Sequence, residues 1–463
     1  MNRNISVLVG MFLVVLMSAN LFAASTWDGG GGDGNWSTAA NWDGDSVPTN
    51  GAALTFGGSL WKSNTNDLLT SVGAVVFNGA GWVISGDAVT LNARMSYSGT
   101  WNIDSDLATG IICYGKWTGL TFNGVLSGSG SLMKWNGADY DNNLKIVRTN
   151  NTFTGKTHTG SGRTYVYKLA DAGQPSSLGA PTGGNATISI GASGTSYGSK
   201  FIYAGSTDSA SDRPLAFVFP YGGYVAFNND SPTDASLTLS GNWSGSGVVG
   251  LLGNSAGTNY MNGVIGGNLG INVGIDGAWV FTAANPMWRD ININRGTLLV
   301  NNSAGSGTGS GNVNVNSGGI LGGSGTITLA NTNKAVTVNS GGTLAPGDPL
   351  VDGGVGELSV SSNLVINGNA NLFYDTGIGA ADHVALDGDL MLSTNVLVTI
   401  NLVGDKPLDT EWKFPLVSAT TLSGGSNVMT WVCTNDVYEF TAYVEGDAVW
   451  VKRPAPAFMM ILR

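Results

Sequence analysis

The chain has 463 residues, of which 71 are glycine, and only 11% of them are charged. Its formal net charge of −11 argues against a nucleic-acid partner, since phosphate contacts need clustered Lys and Arg. An apolar content of 42% with so little charge is not typical of disorder and favours many short strands joined by glycine-rich turns.

The first segment has the organisation of a secretory signal peptide. Arg3 is the only charge ahead of an apolar run over residues 5–17, and small residues follow at 23–25. The run is too short to span a bilayer comfortably. We therefore predict a signal peptide over 1–24, export of the remainder, and no transmembrane span in the mature chain.

Residues 25–60 are rich in Trp and in Asp-Gly turns, which predicts an N-terminal cap and the first strands. Exposed Trp rings stack on sugars, so Trp27, Trp36 and Trp42 are candidate glycan-binding residues. The alternative, which the pattern favours, is that these three rings plug the open end of a stack of strands.

One short pattern recurs in the second half of the chain. The segments 313–321 and 336–344 superimpose without gaps at an offset of 23 residues, and each alternates apolar and small polar residues before a Gly-Gly corner. A period of this length is typical of a solenoid. We predict an all-β parallel solenoid over 61–403, with Asn316 and Asn339 stacked in a hydrogen-bonded ladder.

A weaker duplication spans a larger unit. The segments 151–166 and 285–300 align without gaps, and Asn123-Gly-Val125 recurs upstream of the second copy as Asn262-Gly-Val264. We predict two copies of this unit, with irregular insertions between about 168 and 234.

The C-terminal part differs in character. Segments 437–444 and 448–451 flank a turn at Glu445-Gly-Asp447, which predicts a β-hairpin within a C-terminal β cap over 404–452. Residues 453–463 form a short tail. The two cysteines, Cys113 and Cys433, are predicted to be separate buried thiols, with a disulfide between them as the alternative.

Several segments together resemble autotransporter-associated β-strand repeat proteins. They are the run Asn151-Thr-Phe-Thr-Gly, the segments 295–300 and 341–347, the Trp-rich opening over 27–42, and the late segment 382–390. The resemblance implies a right-handed parallel β-helix passenger at the surface of a Gram-negative-type bacterium. The chain departs from complete autotransporters because it has no long terminal block of alternating strands.

Acidic residues and histidines supply the candidates for chemistry. Carboxylate pairs occur at Asp104/Asp106, Asp139/Asp141 and Asp387/Asp389, mostly beside Gly, Ser or Asn, which favours turn capping over catalysis. Asp28, Asp33, Asp43 and Asp45 lack the spacing of known Ca²⁺ loops, so no metal site and no cofactor is predicted, with Ca²⁺ as a weak alternative. His158 and His383 carry no recognisable partner motif, and no catalytic residue is predicted.

The sequence thus predicts an exported, non-enzymatic surface or matrix protein with a structural or adhesive role. Its expected partners are polysaccharides or other surface proteins, and its oligomeric state stays undetermined. The alternatives are a secreted carbohydrate-active β-helix enzyme and a carbohydrate-binding module built on the N-terminal Trp cluster. The periplasm is the alternative location.

Overall fold

The computed structural model describes residues 24–96, 99–114, 119–134, 143–193, 198–219, 224–351, 354–377, 380–402, 412–423, 429–433 and 441–453. These residues are almost entirely β-structure. The helical segments among them are two short 3-10 turns, Ala39–Asn41 and Gly183–Asn185. The predicted signal peptide (but for its last residue), Asp139, Asp141 and most of the predicted tail lie outside the described residues.

The strands, numbered β1 to β44 in chain order, stack in ladders of parallel neighbours. The first ladder contains β1 (Ser25–Trp27), β2 (Leu54–Phe56), β5 (Val75–Phe77), β8 (Arg94–Ser96), β11 (Ile111–Tyr114), β14 (Leu132–Lys134), β16 (Thr157–Thr159), β18 (Ile188–Gly191), β21 (Leu215–Val218) and β24 (Trp243–Gly253).

The second ladder extends furthest along the chain and shares β24 with the first. It contains β3 (Ser63–Asn66), β6 (Trp82–Gly86), β9 (Gly99–Trp101), β12 (Leu120–Phe122), β15 (Asn143–Ile146), β17 (Gly162–Val166), β19 (Ser199–Tyr203), β22 (Val225–Asn229), β24, β26 (Asn268–Phe281), β27 (Ile291–Val300), β28 (Val313–Val315), β31 (Ala335–Val338), β34 (Asn363–Ile366), β38 (Asp389–Leu392) and β41 (Thr421–Ser423).

Two further ladders are parallel throughout. The third contains β4 (Ser71–Val72), β7 (Val89–Leu91), β10 (Ser105–Leu107) and β13 (Leu126–Ser127). The fourth contains β20 (Ser209–Ser211), β23 (Leu237–Leu239), β25 (Thr258–Met261), the C-terminal halves of β26 and β27, β29 (Gly319–Gly323), β32 (Thr343–Pro346), β35 (Asn371–Gly377), β39 (Val396–Leu402) and β42 (Met429–Cys433).

A C-terminal sheet completes the β-structure, together with the short β36 (Ala380–Ala381), which pairs with β35. Its strands are β30 (Thr326–Thr328), β33 (Glu357–Ser361), β37 (His383–Leu386), β40 (Trp412–Ser418), β44 (Ala448–Arg453) and β43 (Thr441–Glu445). The first four are parallel, and the last two form the predicted antiparallel hairpin, whose tight turn contains Gly446 at φ 61°. Residues 437–440 of that prediction lie outside the described residues.

The chain visits the ladders in a regular order. From β2 to β15 each strand of the first ladder is followed by a strand of the second ladder. A strand of the third ladder (β4, β7, β10 or β13) then comes before the chain returns to the first ladder. Register partners in the second ladder are separated by 17 residues (Val83 to Thr100) up to 37 (Tyr165 to Ile202). This arrangement of long parallel stacks is consistent with a β-helix.

The sequence repeat coincides with the structural register. Val313 pairs with Val336, and Leu321 pairs with Leu344, so the predicted 23-residue offset is confirmed residue by residue. Inward positions of this register stack into one apolar column, and its members in the second ladder are all fully buried: Val225, Val249, Ile271, Ile291, Val313, Val336, Leu364 and Leu390. Each strand hides its apolar edge against the next.

The predicted asparagine ladder is also confirmed. The amide of Asn339 donates to Asn316 (2.8 Å), and that of Asn316 donates to Asn294 (2.8 Å). Asn367 extends the ladder by donating to Asn339 (2.9 Å). A chain of side-chain amides at one corner satisfies donors and acceptors at successive levels.

The weaker duplication also recurs in hydrogen bonding. Asn151 accepts from the backbone N–H of Leu126 (2.8 Å), and its counterpart Asn285 accepts from Ile265 (2.7 Å). Each also donates to a backbone carbonyl in the following segment. Both asparagines are buried. The two aligned segments therefore fold onto the preceding corner in the same way.

Candidate functional site

The three candidate tryptophans lie together at the N-terminal end of the first ladder. Their rings pack edge to face, with centroids of Trp27 and Trp42 5.2 Å apart and those of Trp36 and Trp42 6.0 Å apart. Phe56 lies beneath them, 5.8 Å from Trp36. All three tryptophans are fully buried. They offer no exposed ring face on which a sugar could stack, and they pack as an aromatic cluster at the first strands.

Each indole N–H of this cluster donates a hydrogen bond. The bond from Trp36 to the side chain of Asn64 measures 2.8 Å, and that from Trp42 to the carbonyl of Trp36 measures 2.9 Å. Exposed Trp rings occur elsewhere among the described residues, at Trp61 (45% exposed) and Trp288 (58% exposed). Sequence could not separate these from the buried ones, because Trp density marks both a cap and a binding platform.

The N-terminal aspartates act on their own backbone and neighbours. Asp33 accepts from the N–H of Asn35 (2.9 Å) and the hydroxyl of Thr38 (2.8 Å), and these bonds lower the pKa of its carboxyl. Asp104 accepts from the N–H of Val125 (2.7 Å), which precedes the next strand of the third ladder.

Within the described part of the chain, no group of three or more His, Cys, Asp or Glu is placed to hold a metal ion. Likewise, no described helix has the length and apolarity to span a membrane.

Cys113 and Lys134 are register partners in the first ladder, and both side chains are fully buried. Burial raises the pKa of the Cys113 thiol to about 12, so it stays protonated and unreactive. Burial also lowers the pKa of Lys134 to about 7. The side chain of Cys433 lies outside the described residues, which leaves the predicted pair of separate thiols as a prediction.

His383 has two hydrogen-bond partners in the structure, neither of which lies in a sequence motif. Its Nδ1 lies 2.9 Å from a carboxylate oxygen of Glu357, and its Nε2 lies 3.0 Å from the hydroxyl of Ser418. The three residues stand on the neighbouring strands β33, β37 and β40. Glu357 and His383 are 26 residues apart and Ser418 follows after another 35, so no short sequence motif marks them.

The carboxylate, histidine and serine are arranged in the same order as in the catalytic relay of a serine hydrolase. The backbone around Ser418, however, differs from that of a hydrolase. The backbone N–H groups just after Ser418, those of Ala419 and Thr420, already donate to the carbonyls of Asp447 and Gly388 (2.9 Å each). They are not available to stabilise an oxyanion. The relay cross-links three strands of the C-terminal sheet, which is the role that its geometry supports.

His158 occupies a different position. It lies half-buried on β16, beside a surface cavity of about 480 Å³ on the first ladder, and burial lowers its pKa. The cavity is lined by Ser131, Met133, Lys156, Thr157, His158, Gly184, Thr187 and Ser189. Nothing in this set orients the imidazole toward a nucleophile.

A buried acid lies near the C-terminal sheet. The carboxylate of Asp382 accepts from the N–H groups of Gly356 (2.8 Å) and Asp375 (2.7 Å). Burial raises its pKa from the ordinary value of 3.8 to about 7; its two backbone hydrogen bonds act in the opposite direction, and the Asp375 carboxylate adds to the rise. Asp382 is therefore half-protonated near neutrality in the folded chain.

We expect this acid to make the C-terminal end less stable as the pH rises. Between pH 4 and pH 7 the folded state holds a proton on Asp382 that the unfolded state has lost. The stabilisation that is present below pH 4 is therefore lost as the pH rises from 4 to 7. Asp382→Asn should flatten this part of the stability–pH profile, measured by hydrogen exchange over 354–402. The exposed Asp387→Asn is the control. A fall in stability that persists unchanged in Asp382→Asn would contradict the assignment.

A polar groove lies on the outward face of the second ladder and is named here the outer groove. Its volume is about 490 Å³. It is lined by Lys200, Asn228, Asp230, Leu252, Gly253, Asn254, Gly274 and Arg295. Two glycines at the floor of the groove leave no room for a side chain. A Cβ on Gly253 would lie 2.0 Å from the carbonyl oxygen of Asn229, and one on Gly274 would lie 2.9 Å from Leu252.

Charged and amide groups border the outer groove. Arg295 is held at one end by bonds to the carbonyls of Gly253 (3.0 Å) and Gly274 (3.1 Å) and by an ion pair with Asp276 (3.1 Å). Asn228 is only 7% exposed, and its amide oxygen has no hydrogen-bond partner among the described residues. Asn228 thus places a buried, unsatisfied acceptor directly beside the polar groove.

Comparison with known proteins adds an independent observation. No family model matches the sequence. The chain is 28% identical over 365 residues to the adhesin BmaC autotransporter of Brucella suis biovar 1 (strain 1330), and the alignment covers 78% of this chain. The chain spans only 8% of the length of that relative. This distant similarity supports an autotransporter passenger-like protein.

Proposed function

We propose that the chain is an exported, passenger-like protein that acts at the cell surface of a Gram-negative-type bacterium in a structural or adhesive role. The observation that carries the proposal is the similarity to an autotransporter adhesin over 78% of the chain. The long parallel ladders support it, because a stack of strands gives an extended, regular outer surface suited to contact.

The fold in this proposal is a right-handed parallel β-helix of autotransporter-associated β-strand repeats. The support is the fixed order in which the chain visits its ladders, with parallel partners about one repeat apart. Crossovers between parallel strands of one sheet are right-handed in about 98% of cases.

The role we propose is not enzymatic. The carboxylate–histidine–serine relay at Ser418 lacks available N–H donors in the two residues that follow it. In the outer groove the carboxylate of Asp230 accepts from the N–H of Asn254 (3.2 Å) and forms no ion pair among the described residues. Polysaccharides and surface proteins are the partners that such a polar, open face suits.

Antibody labelling of the native cells tests the proposal. Intact cells should be labelled as strongly as permeabilised cells, and deletion of the gene should reduce attachment to surfaces or to other cells. The matched control is an antibody against a periplasmic protein, which should label only permeabilised cells. Labelling confined to permeabilised cells would overturn the surface role and favour the periplasm.

A further inference from the structure

Lysine and tyrosine side chains pair on the outward face of the second ladder, upstream of the outer groove. Lys145 on β15 and Tyr165 on β17 are register partners, with the ammonium 5.5 Å from the ring centroid. The ammonium of Lys200 on β19 lies 5.9 Å from the ring of Tyr224, which is 40% exposed. These four residues are named here the basic–aromatic patch.

The charge of this patch differs from that of the chain as a whole. The net charge is −11, yet β15, β17 and β19 contain no Asp or Glu. Neither Lys145 nor Lys200 forms an ion pair with a carboxylate among the described residues. Their ammonium groups are therefore available to an external anion, whose attraction they share with the tyrosine ring faces.

The basic–aromatic patch and the outer groove are continuous, because Lys200 belongs to both. From β15 to β27 the outward face crosses seven strands of the second ladder, a distance of about 29 Å at ~4.8 Å per strand. Along this line Lys145 and Lys200 come first, and the amides of Asn228 and Asn254 follow, with the carboxylate of Asp230 beside them. Arg295, which is ion-paired with Asp276, comes last. A site of this length fits an extended chain rather than a single small molecule.

We propose that the patch and groove together bind an acidic polysaccharide, one whose sugar rings carry carboxylates. Carboxylates would lie against Lys145 and Lys200, and sugar rings would stack on Tyr165 and Tyr224. Hydroxyl groups would bond to the exposed groove amide of Asn254. The inference names the partner class of the surface role proposed above and rests on that role for its biological meaning.

Binding of the purified mature chain to polygalacturonate, measured by calorimetry at low salt, tests the proposal. Lys145→Ala combined with Lys200→Ala should weaken binding by about tenfold or more, and added salt should weaken it further, because both charges contribute at the surface. Lys156→Ala is the control: it removes an exposed lysine that directly precedes β16 of the first ladder, away from this face, and should leave affinity unchanged. Unchanged circular dichroism and Tm would show that each variant folds.

A second pair of variants tests the stacking contribution. Tyr165→Phe keeps the ring and should retain affinity, whereas Tyr165→Ala should lose severalfold. Neutral dextran should not bind.

The proposal is overturned if polygalacturonate fails to bind, if the lysine double variant binds as the wild type does, or if duplex DNA of equal charge binds equally well through the same lysines. These outcomes are independent of cell labelling. If the chain binds polygalacturonate but is not at the cell surface, the binding site stands and the proposed function is wrong. If the chain is at the surface but does not bind, the proposed function stands and the binding site is wrong.

Discussion

Replacing Trp36 by alanine is expected to lower the free energy of unfolding of the N-terminal end by about 3–5 kcal/mol. The ring is fully buried between Trp42 and Phe56, so truncation leaves a cavity among aromatic side chains. It also removes the hydrogen bond to Asn64, whose oxygen lies in the buried interior. Hydrogen exchange over 25–66 and the thermal unfolding midpoint measure the effect.

Trp288→Ala is the matched control, because that ring is 58% exposed and should cost less than about 1 kcal/mol. In a stacked-strand protein the damage should stay near the substituted end, since each level contacts only its neighbours. If Trp36→Ala unfolds like the wild type, the ring is not part of a core. The glycan platform weighed for Trp27, Trp36 and Trp42 would then regain its basis.

Replacing Asn285 by alanine is expected to cost about 2–4 kcal/mol although it removes no apolar surface. The amide accepts from the backbone N–H of Ile265 (2.7 Å) and donates to the carbonyl of Gly307 (2.6 Å), and it is buried. Alanine leaves both backbone groups without a partner in the interior, where water does not replace it. Urea unfolding monitored by circular dichroism measures the loss.

Asn316→Ala provides the comparison. This residue belongs to the amide ladder at a partly exposed corner, where water can replace its bonds to Asn294 and Asn339, so its loss should cost under about 1 kcal/mol. Equal costs for the two substitutions would mean that burial does not separate their roles.

The regular part of the fold is readable from sequence because its period is constant there. Val313 and Val336 occupy equivalent positions in two copies of one pattern, and parallel stacking places equivalent positions in register. The same reasoning located the amide ladder at Asn316 and Asn339. Where the interval changes, as between Tyr165 and Ile202, insertions break the pattern, and sequence indicated only an irregular region.

The candidate sites were less accessible to sequence reasoning. Glu357, His383 and Ser418 meet because two unequal intervals bring their strands together, and neither interval follows a motif. The outer groove depends on Gly253 and Gly274, which are two among 71 glycines. A Trp that packs in the N-terminal cluster differs from an exposed Trp in its burial, and composition alone does not report burial.

Disulfide trapping tests the central claim, parallel stacking at the repeat interval, most directly. In the register, Asn314 pairs with Thr337, and Thr337 pairs with Val365. Cysteines at 314 and 337 would have Cα atoms about 4.8 Å apart, within disulfide range, whereas cysteines at 314 and 365 would be separated by about 9.6 Å, beyond it. Under mild oxidation, peptide mass spectrometry should find the 314–337 crosslink and no 314–365 crosslink. Failure of the first pair to form, or preferential formation of the second, would contradict the parallel stack.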